Sequence, residues 1–319
     1  MLPLLVLVSL FSFAIIQLMP GDYLTRARLD PQIKQETLNA LARRYGLDKP
    51  FMTRYLAWVK GILTRGDFGT SFETRQPVFF TLFLGSRLQW TLVVSISTMI
   101  ITWLFAIPLG IYSATHQYKA SDHGLTFFGF LGLSIPNFFF ALVVLWLLVA
   151  VFKVGNYGLG IGGLFDNRFI AAPWSPAKLG NLLWHIWPAW LVIGTSGMAG
   201  LLRYMRGSLL DTLSLQYVQT ARAKGLSERI VVYKHAVRNA INPLISMLGM
   251  TLPNLVAGSL VTAIVLNLPT VERAFWSALQ MQDEYVIMGG LLFFSLFLLL
   301  GNLLADILLA WVDPRIRYN

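Results

Sequence analysis

Cysteine is absent from this 319-residue chain, which excludes disulfides and thiolate-bound metals and leaves no redox signature of compartment. Charge is scarce: 13% of residues are Asp, Glu, Lys or Arg, where a soluble domain carries about 25%. No Gly-Lys dipeptide occurs, so the chain lacks the phosphate-cradling loop that an ATP-driven machine needs. Paired catalytic carboxylates, a Ser-His-Asp set in plausible register and a His/Cys cluster are also missing. These absences argue against enzymatic chemistry within the chain, and no cofactor or metal is implied.

What is present is apolar. Hydrophobic residues make up 56% of the chain and the mean hydropathy is +0.63. A membrane-crossing helix needs roughly 17 to 25 apolar residues, and six stretches qualify: 2–19, 88–113, 125–151, 183–202, 244–267 and 286–311. Five contain no charged residue, and the sixth holds only Asp306. Each is too long for a strand and too uniformly apolar for an ordinary amphipathic helix. The expected fold is therefore all-α, a polytopic membrane protein with six transmembrane helices. Pro108, Pro136, Pro188 and Pro253 fall inside four of the spans, where proline is tolerated and often marks a kink. No Lys or Arg precedes the first span and no small-residue cleavage site follows it, so it reads as an uncleaved span rather than a signal peptide.

The formal net charge is +10. The basic residues sit in short loops between spans, so anionic lipid and a protein partner are better counter-charges than nucleic acid. Loop 203–243 carries Arg203, Arg206, Arg222, Lys224, Arg229, Lys234 and Arg238 against Asp211 and Glu228. Arg315 and Arg317 follow the last span, whereas 268–285 has Arg273 alone against three acids. Basic residues gather on the cytoplasmic side, so loop 203–243 and both termini are expected there. Segment 20–85 must then lie outside despite its ten Lys and Arg, since the rule weakens for loops beyond about 60 residues. Helices are expected at 31–45 and 51–64, with Gly46 as a C-cap. Phe51, Tyr55, Trp58, Val59 and Ile62 share one face of the second, a face suited to a membrane surface.

The polar loop has its own pattern. A helix-like run, 208–224, ends at Gly225, a residue suited to the left-handed turn after a helix. Ser227 is a good N-cap for a second helix, with Glu228 in its first turn. Leu226 and Val231 occupy the positions of a hydrophobic staple. Ile230, Tyr233, Val237, Ile241 and Leu244 form an i, i+3, i+4 stripe, and Pro243 marks the bend into the next span. Two readings stay open: a solvated connector, or a rigid knob for a soluble partner.

Other features carry less. Gly158-Leu159-Gly160-Ile161-Gly162-Gly163 matches a dinucleotide fingerprint by letter. The strand, helix and distal acid that such a fingerprint requires are missing, so a flexible outer loop is expected. His185, beside Trp184 and Trp187, reads as an interfacial residue. Asp306 is read as structural, near the cytoplasmic interface.

Ala221-Arg222-Ala223-Lys224-Gly225-Leu226-Ser227, with His235-Ala236 and Asn239-Ala240 to Pro243, resembles the EAA loop of ABC importer permeases, most closely the dipeptide/oligopeptide/nickel branch. Pro20-Gly21-Asp22, Tyr45-Gly46-Leu47-Asp48, Gly66-Asp67-Phe68-Gly69-Thr70-Ser71-Phe72 and Asp313-Pro314-Arg315 are similar to that branch as well. Departures exist: Gln219-Thr220-Ala221 stands where the general pattern has Glu-Ala-Ala, and Leu268-Pro269-Thr270 replaces a Trp-Pro-Gly-like turn. The resemblance implies a type I importer permease fold in a bacterial inner membrane. The implied domains are a first span at 1–19, an extracytoplasmic segment at 20–85, a permease core at 88–311 with its coupling loop at 203–243, and a cytoplasmic tail at 312–319. It implies two ATPase subunits, a second permease subunit forming a heterodimer, and an extracytoplasmic binding protein. The coupling role would fall on Ala221, Lys224, Gly225, Leu226, Ser227, Glu228, His235, Asn239 and Pro243. Asn137, Asn254 and Asn267, at helix breaks, either line a translocation path or satisfy kinked backbone. The expected cargo is di- or oligopeptide; nickel or another small solute is the alternative within the branch, and an ion-coupled secondary transporter the alternative outside it.

Overall fold

The computed structural model describes residues 2–18, 23–28, 34–245, 247 and 260–312. They are predominantly helical, with one isolated β-bridge between Thr70 and Pro77 and no strand among them. The helices are α1 Leu2–Leu18, α2 Tyr23–Arg28, α3 Gln35–Tyr45, α4 Phe51–Arg65, α5 Ser86–Thr115, α6 Ala120–Ser134, α7 Asn137–Trp146 and α8 Asn167–Ile170. There follow α9 Pro176–Leu213, α10 Gln216–Ala223, α11 Glu228–Ile230, α12 Val237–Ala240, α13 Leu260–Val265, α14 Val271–Met281 and α15 Glu284–Val312.

By length and composition three helices can cross a membrane, in the regions of α1, α5 and α15. A fourth candidate is the pair Ala120–Ser134 and Asn137–Val151, bent by 101°. The expected third span is thus not one kinked rod. Pro136 bars the preceding residue from helical ψ, and Ile135 takes an extended conformation (φ −88°, ψ 121°) that redirects the chain. Pro108 and Pro188, by contrast, stay inside α5 and α9. The fourth expected span lies within the 38-residue α9, where Trp, His, Gly, Ser and Thr dilute its hydropathy. The fifth, with Pro253, falls largely outside the described residues.

The chain divides into two compact units, Met1–Thr91 with Pro269–Leu299, and Leu92–Leu268 with Leu300–Asn319. In the first, Gly46 and Gly66 end α3 and α4 in the left-handed conformation, the former as expected. The expected membrane-facing side of α4 is instead covered. Tyr55 and Trp58 are buried with Phe13 of α1 and Met288 of α15, and Phe51, Val59 and Ile62 pack on the same cluster. Arg54 pairs with Glu284, and the Trp58 indole donates to Phe68 O at 2.9 Å. Polar anchors complete the arrangement: Asp283 accepts from Ser71 Oγ and Phe72 N, both at 2.7 Å. Gly69 (φ 93°) has no room for a Cβ, which would lie 2.6 Å from the Tyr285 ring. Motif 66–72 is therefore a backbone clamp on the start of α15.

The second unit is organised around α9. Small residues let neighbouring helices approach closely, as membrane helices generally require. A Cβ on Gly110 of α5 would sit 2.7 Å from Met205 Cβ, and one on Gly132 of α6 2.7 Å from Thr195 Cγ2. Ala106, Ile111 and Ala114 of α5 pack with Leu201, Met205 and Leu209 of α9, and this cluster extends to Val218, Ala221, Val231, Val232, Ala236, Ala240 and Leu244.

Candidate functional site

The polar loop forms a helix–turn–helix, but not with the expected boundaries. The run 208–224 is broken: α9 ends at Leu213, Leu215 is extended, and α10 starts at Gln216. Gly225 then adopts φ 77°. Its N–H donates to Arg222 O at 2.9 Å and that of Leu226 to Ala221 O at 3.4 Å, the two bonds of a Schellman cap. Ser227 stands at the next N-cap position (φ −60°, ψ 143°), yet its hydroxyl caps nothing. Leu226 is 39% exposed, where a staple over Val231 would bury it.

The second helix carries a register change that sequence periodicity does not reveal. Val231–Ala236 is a π-segment between α11 and α12. The step from Val231 to Ala236 is five residues, and from there α-spacing resumes through Ala240 to Leu244; all four are fully buried. The predicted stripe is consequently wrong at its start: Ile230 and Tyr233 are 43% and 59% exposed. A π-turn adds one residue to the repeat and rotates the buried face away from the α-helical extrapolation.

The outcome is a projecting turn on a buried seat. Val218, Ala221, Val231 and Val232 are buried against α9 residues Met205 and Leu209, whereas every residue from Ala223 to Ile230 is exposed. Arg222 braces the turn by donating to both Glu228 oxygens, at 3.1 and 2.6 Å. These bonds hold the Glu228 carboxyl below the usual glutamate range and push the Arg222 guanidinium up. Tyr217 joins two of the expected residues: its hydroxyl donates to His235 O at 3.4 Å and accepts from Asn239 Nδ2 at 2.7 Å. Of the expected set, Ala221 is part of the seat, Lys224 to Glu228 form the exposed turn, and Pro243 is exposed within the helical stretch 242–245 that follows α12.

Below this turn lies a feature the sequence did not disclose. Asp122 of α6, 2% exposed, accepts from Arg206 Nε at 3.0 Å, Arg206 Nη2 at 2.9 Å, Tyr118 N at 3.0 Å and Ser113 Oγ. The fork joins α5, α6 and α9. Arg206 was legible only as one more loop charge, because its partner is 84 residues away.

Of the three expected asparagines, the two described lie at helix ends. Asn137 begins α7, beyond the Pro136 bend; Asn267 (φ 56°) follows α13; Asn254 lies outside the described residues. The glycine-rich loop, expected to be flexible, is pinned. Asp166 Oδ1 accepts from Gly160 N at 2.9 Å, Trp184 Nε1 donates to Gly160 O at 3.2 Å, and Gly163 N donates to Leu266 O at 2.8 Å. His185 is buried, with Nδ1 2.8 Å from Asn181 O and Nε2 3.4 Å from Asp166. Asp306 is exposed on α15.

Two family models match the chain. Residues 106–318 match the binding-protein-dependent transport system inner membrane component, and residues 1–107 match the N-terminal part of such membrane components. The oligopeptide transport system permease protein AppB of Bacillus subtilis is 35% identical over 99% of this chain and 96% of its own length. The di/tripeptide permease protein DppB of Pseudomonas aeruginosa is 32% identical over 98% and 94%, and the dipeptide permease protein DppB of Escherichia coli K12 30% identical over 100% and 96%. The chain belongs to the binding-protein-dependent transport system inner membrane components, the permease subunits of ABC importers, which work with separate ATPase subunits and a substrate-binding protein.

Proposed function

We propose that the chain forms part of the translocation pathway for di- or oligopeptides and that its turn at 223–230 couples the pathway to ATP hydrolysis on partner chains. The names of the similar permeases support the peptide cargo. In this reading six spans place both termini and loop 203–243 in the cytoplasm, with 20–85 outside. Two ATPase subunits and a paralogous permease complete the membrane assembly. Asn137, Asn254 and Asn267 belong to the pathway.

One observation carries the coupling assignment: an exposed, capped turn rises from a fully buried seat. A docking element has to be accessible at its tip and stiff at its base, because a push on a floppy tip is absorbed before it reaches the spans. Lys224, Gly225, Leu226, Ser227 and Glu228 provide the tip. Ala221 helps form the base, His235 and Asn239 brace it through Tyr217, and Pro243 lies in the helical stretch 242–245 that follows.

The test is Gly225→Val in the complete transporter, set beside Gly225→Asn. Nothing lies within 4 Å of a Cβ at this position, so a substitution acts through φ alone. A β-branched residue is strained there, whereas Asn tolerates it. Uptake should be abolished by Val with insertion and assembly retained, and preserved by Asn. Normal uptake by the Val variant would refute the coupling role.

A further inference from the structure

In the second unit, α6 and α9 enclose a cavity of about 270 Å³ that the transport reading leaves unused. One end is polar with an excess of base: Arg203 and Arg206 line it against Asp122, with Tyr118 and His123 beside them. Arg206 spends Nε and Nη2 on Asp122, which leaves Nη1 for a second acceptor. Arg203 is exposed and has no acidic partner among the described residues. The other end is apolar, walled by Phe130 and Leu133 from α6 and by Ala199 and Leu202 from α9.

The two ends follow the helix axes. From Asp122 to Leu133 the rise is about 16 Å, roughly half of a 30 Å hydrocarbon core. Charge therefore sits at one end of the cavity and the apolar wall runs from it over a length comparable to one leaflet. A soluble anion would have no use for the wall, and an acyl chain alone would have none for the arginines. The surrounding face of α6 is apolar too, with Phe127, Phe128 and Leu131 exposed. Basic pockets between membrane helices on the cytoplasmic side suit anionic head groups.

We infer that this cavity binds an anionic phospholipid of the cytoplasmic leaflet, its phosphate on Arg203 and Arg206 and one acyl chain along the α6–α9 furrow. The leaflet, though not the lipid class, rests on the orientation proposed above. Gly129 keeps the furrow open: a Cβ there would meet only Ala199 Cβ, at 3.9 Å.

The test uses the assembled transporter, reconstituted with phosphatidylglycerol and phosphatidylcholine in equal amounts and re-extracted in mild detergent for lipid quantification by mass spectrometry. Phosphatidylglycerol should be retained preferentially. Arg203→Gln should lower its retention about fivefold, the worth of one basic side chain near a lipid surface, and Arg203→Lys should restore most of it. Gly129→Leu, which fills the furrow without a clash against backbone, should displace the lipid while the subunits stay assembled. Equal retention of the two lipids, or retention unchanged in Arg203→Gln, overturns the assignment. So does efficient cross-linking of Phe130→Cys to a second permease subunit, which would make the furrow a protein interface. Orientation is tested separately: Lys119→Cys, in a chain with no other cysteine, should react with a membrane-impermeant maleimide only from the cytoplasmic side. Outside labelling would move the lipid to the other leaflet and refute the orientation without touching the retention result.

Discussion

Removing either partner of the Asp122–Arg206 fork should destabilise the second unit, but unequally. The Asp122 side chain is 3% exposed and that of Arg206 26%. Arg206→Met leaves a buried carboxylate with Ser113 and Tyr118 as donors but without its counter-charge, a loss of about 3–5 kcal/mol. Asp122→Ala leaves a guanidinium that can swing toward water, and its main loss is the charge-assisted bonds, about 1.5–3 kcal/mol. The double variant leaves no uncompensated charge, so its loss should fall short of the summed single losses by about 2 kcal/mol. Denaturant titration of the three variants in lipid–detergent bicelles measures this coupling directly. Equal single losses together with strict additivity would show that the fork is a surface ornament and that α6 is held to α9 by packing alone.

Three further outcomes follow from other contacts. Gly110→Val should push α5 off Met205 and lower stability by about 1–3 kcal/mol through overpacking, with a loss of uptake because Met205 also seats the turn; a wild-type melting curve would refute the close approach. Asp283→Ala removes the acceptor of Ser71 Oγ and Phe72 N, and should cost about 1–3 kcal/mol while raising protease sensitivity around residues 66–75. At the turn, the lowered Glu228 pKa means that the Arg222 brace is fully present above the unfolded-state value near 4.3 and fades as pH falls through the lower folded value. Amide exchange at 223–230 should therefore be flat from pH 8 to 5, apart from intrinsic chemistry. Glu228→Gln should cost at most about 1 kcal/mol, since the pair is exposed.

What the sequence disclosed and what it hid divide along physical lines. Gly46 and Gly225 were readable because a left-handed turn after a helix is a local demand that one residue type meets cheaply. Spans at 2–19, 88–113 and 286–311 were readable because their signal is summed over some twenty residues. The bend at Pro136 was half visible: the proline marks the site, but whether a helix kinks or turns by 101° depends on what packs beyond it. The face of α4 was misassigned for a related reason. Phe51, Tyr55, Trp58, Val59 and Ile62 announce an apolar stripe, and a stripe does not say whether lipid or Phe13 and Met288 will cover it. The Asp122–Arg206 fork was invisible, since nothing local to either residue names the other.

The π-segment at Val231–Ala236 makes the sharpest case, because it bears on the proposed coupling. An unbroken α-helix from Glu228 would bury Tyr233, Val237 and Ile241 and leave Val232 and Ala236 outside. Inserting one residue per turn there brings Val231 and Val232 onto α9 and still lets Ala236, Ala240 and Leu244 follow. The helix thus keeps one buried face despite a sequence out of phase with it. That solution has poorer hydrogen-bond geometry than an α-helix and persists only when tertiary packing compensates. The phase of this helix therefore sets how the tip is aimed relative to α9. Deleting one residue within 232–235 should regularise the helix and rotate the tip by about 100° relative to α9. Full uptake by such a deletion would mean that the phase of the seat is irrelevant to transport.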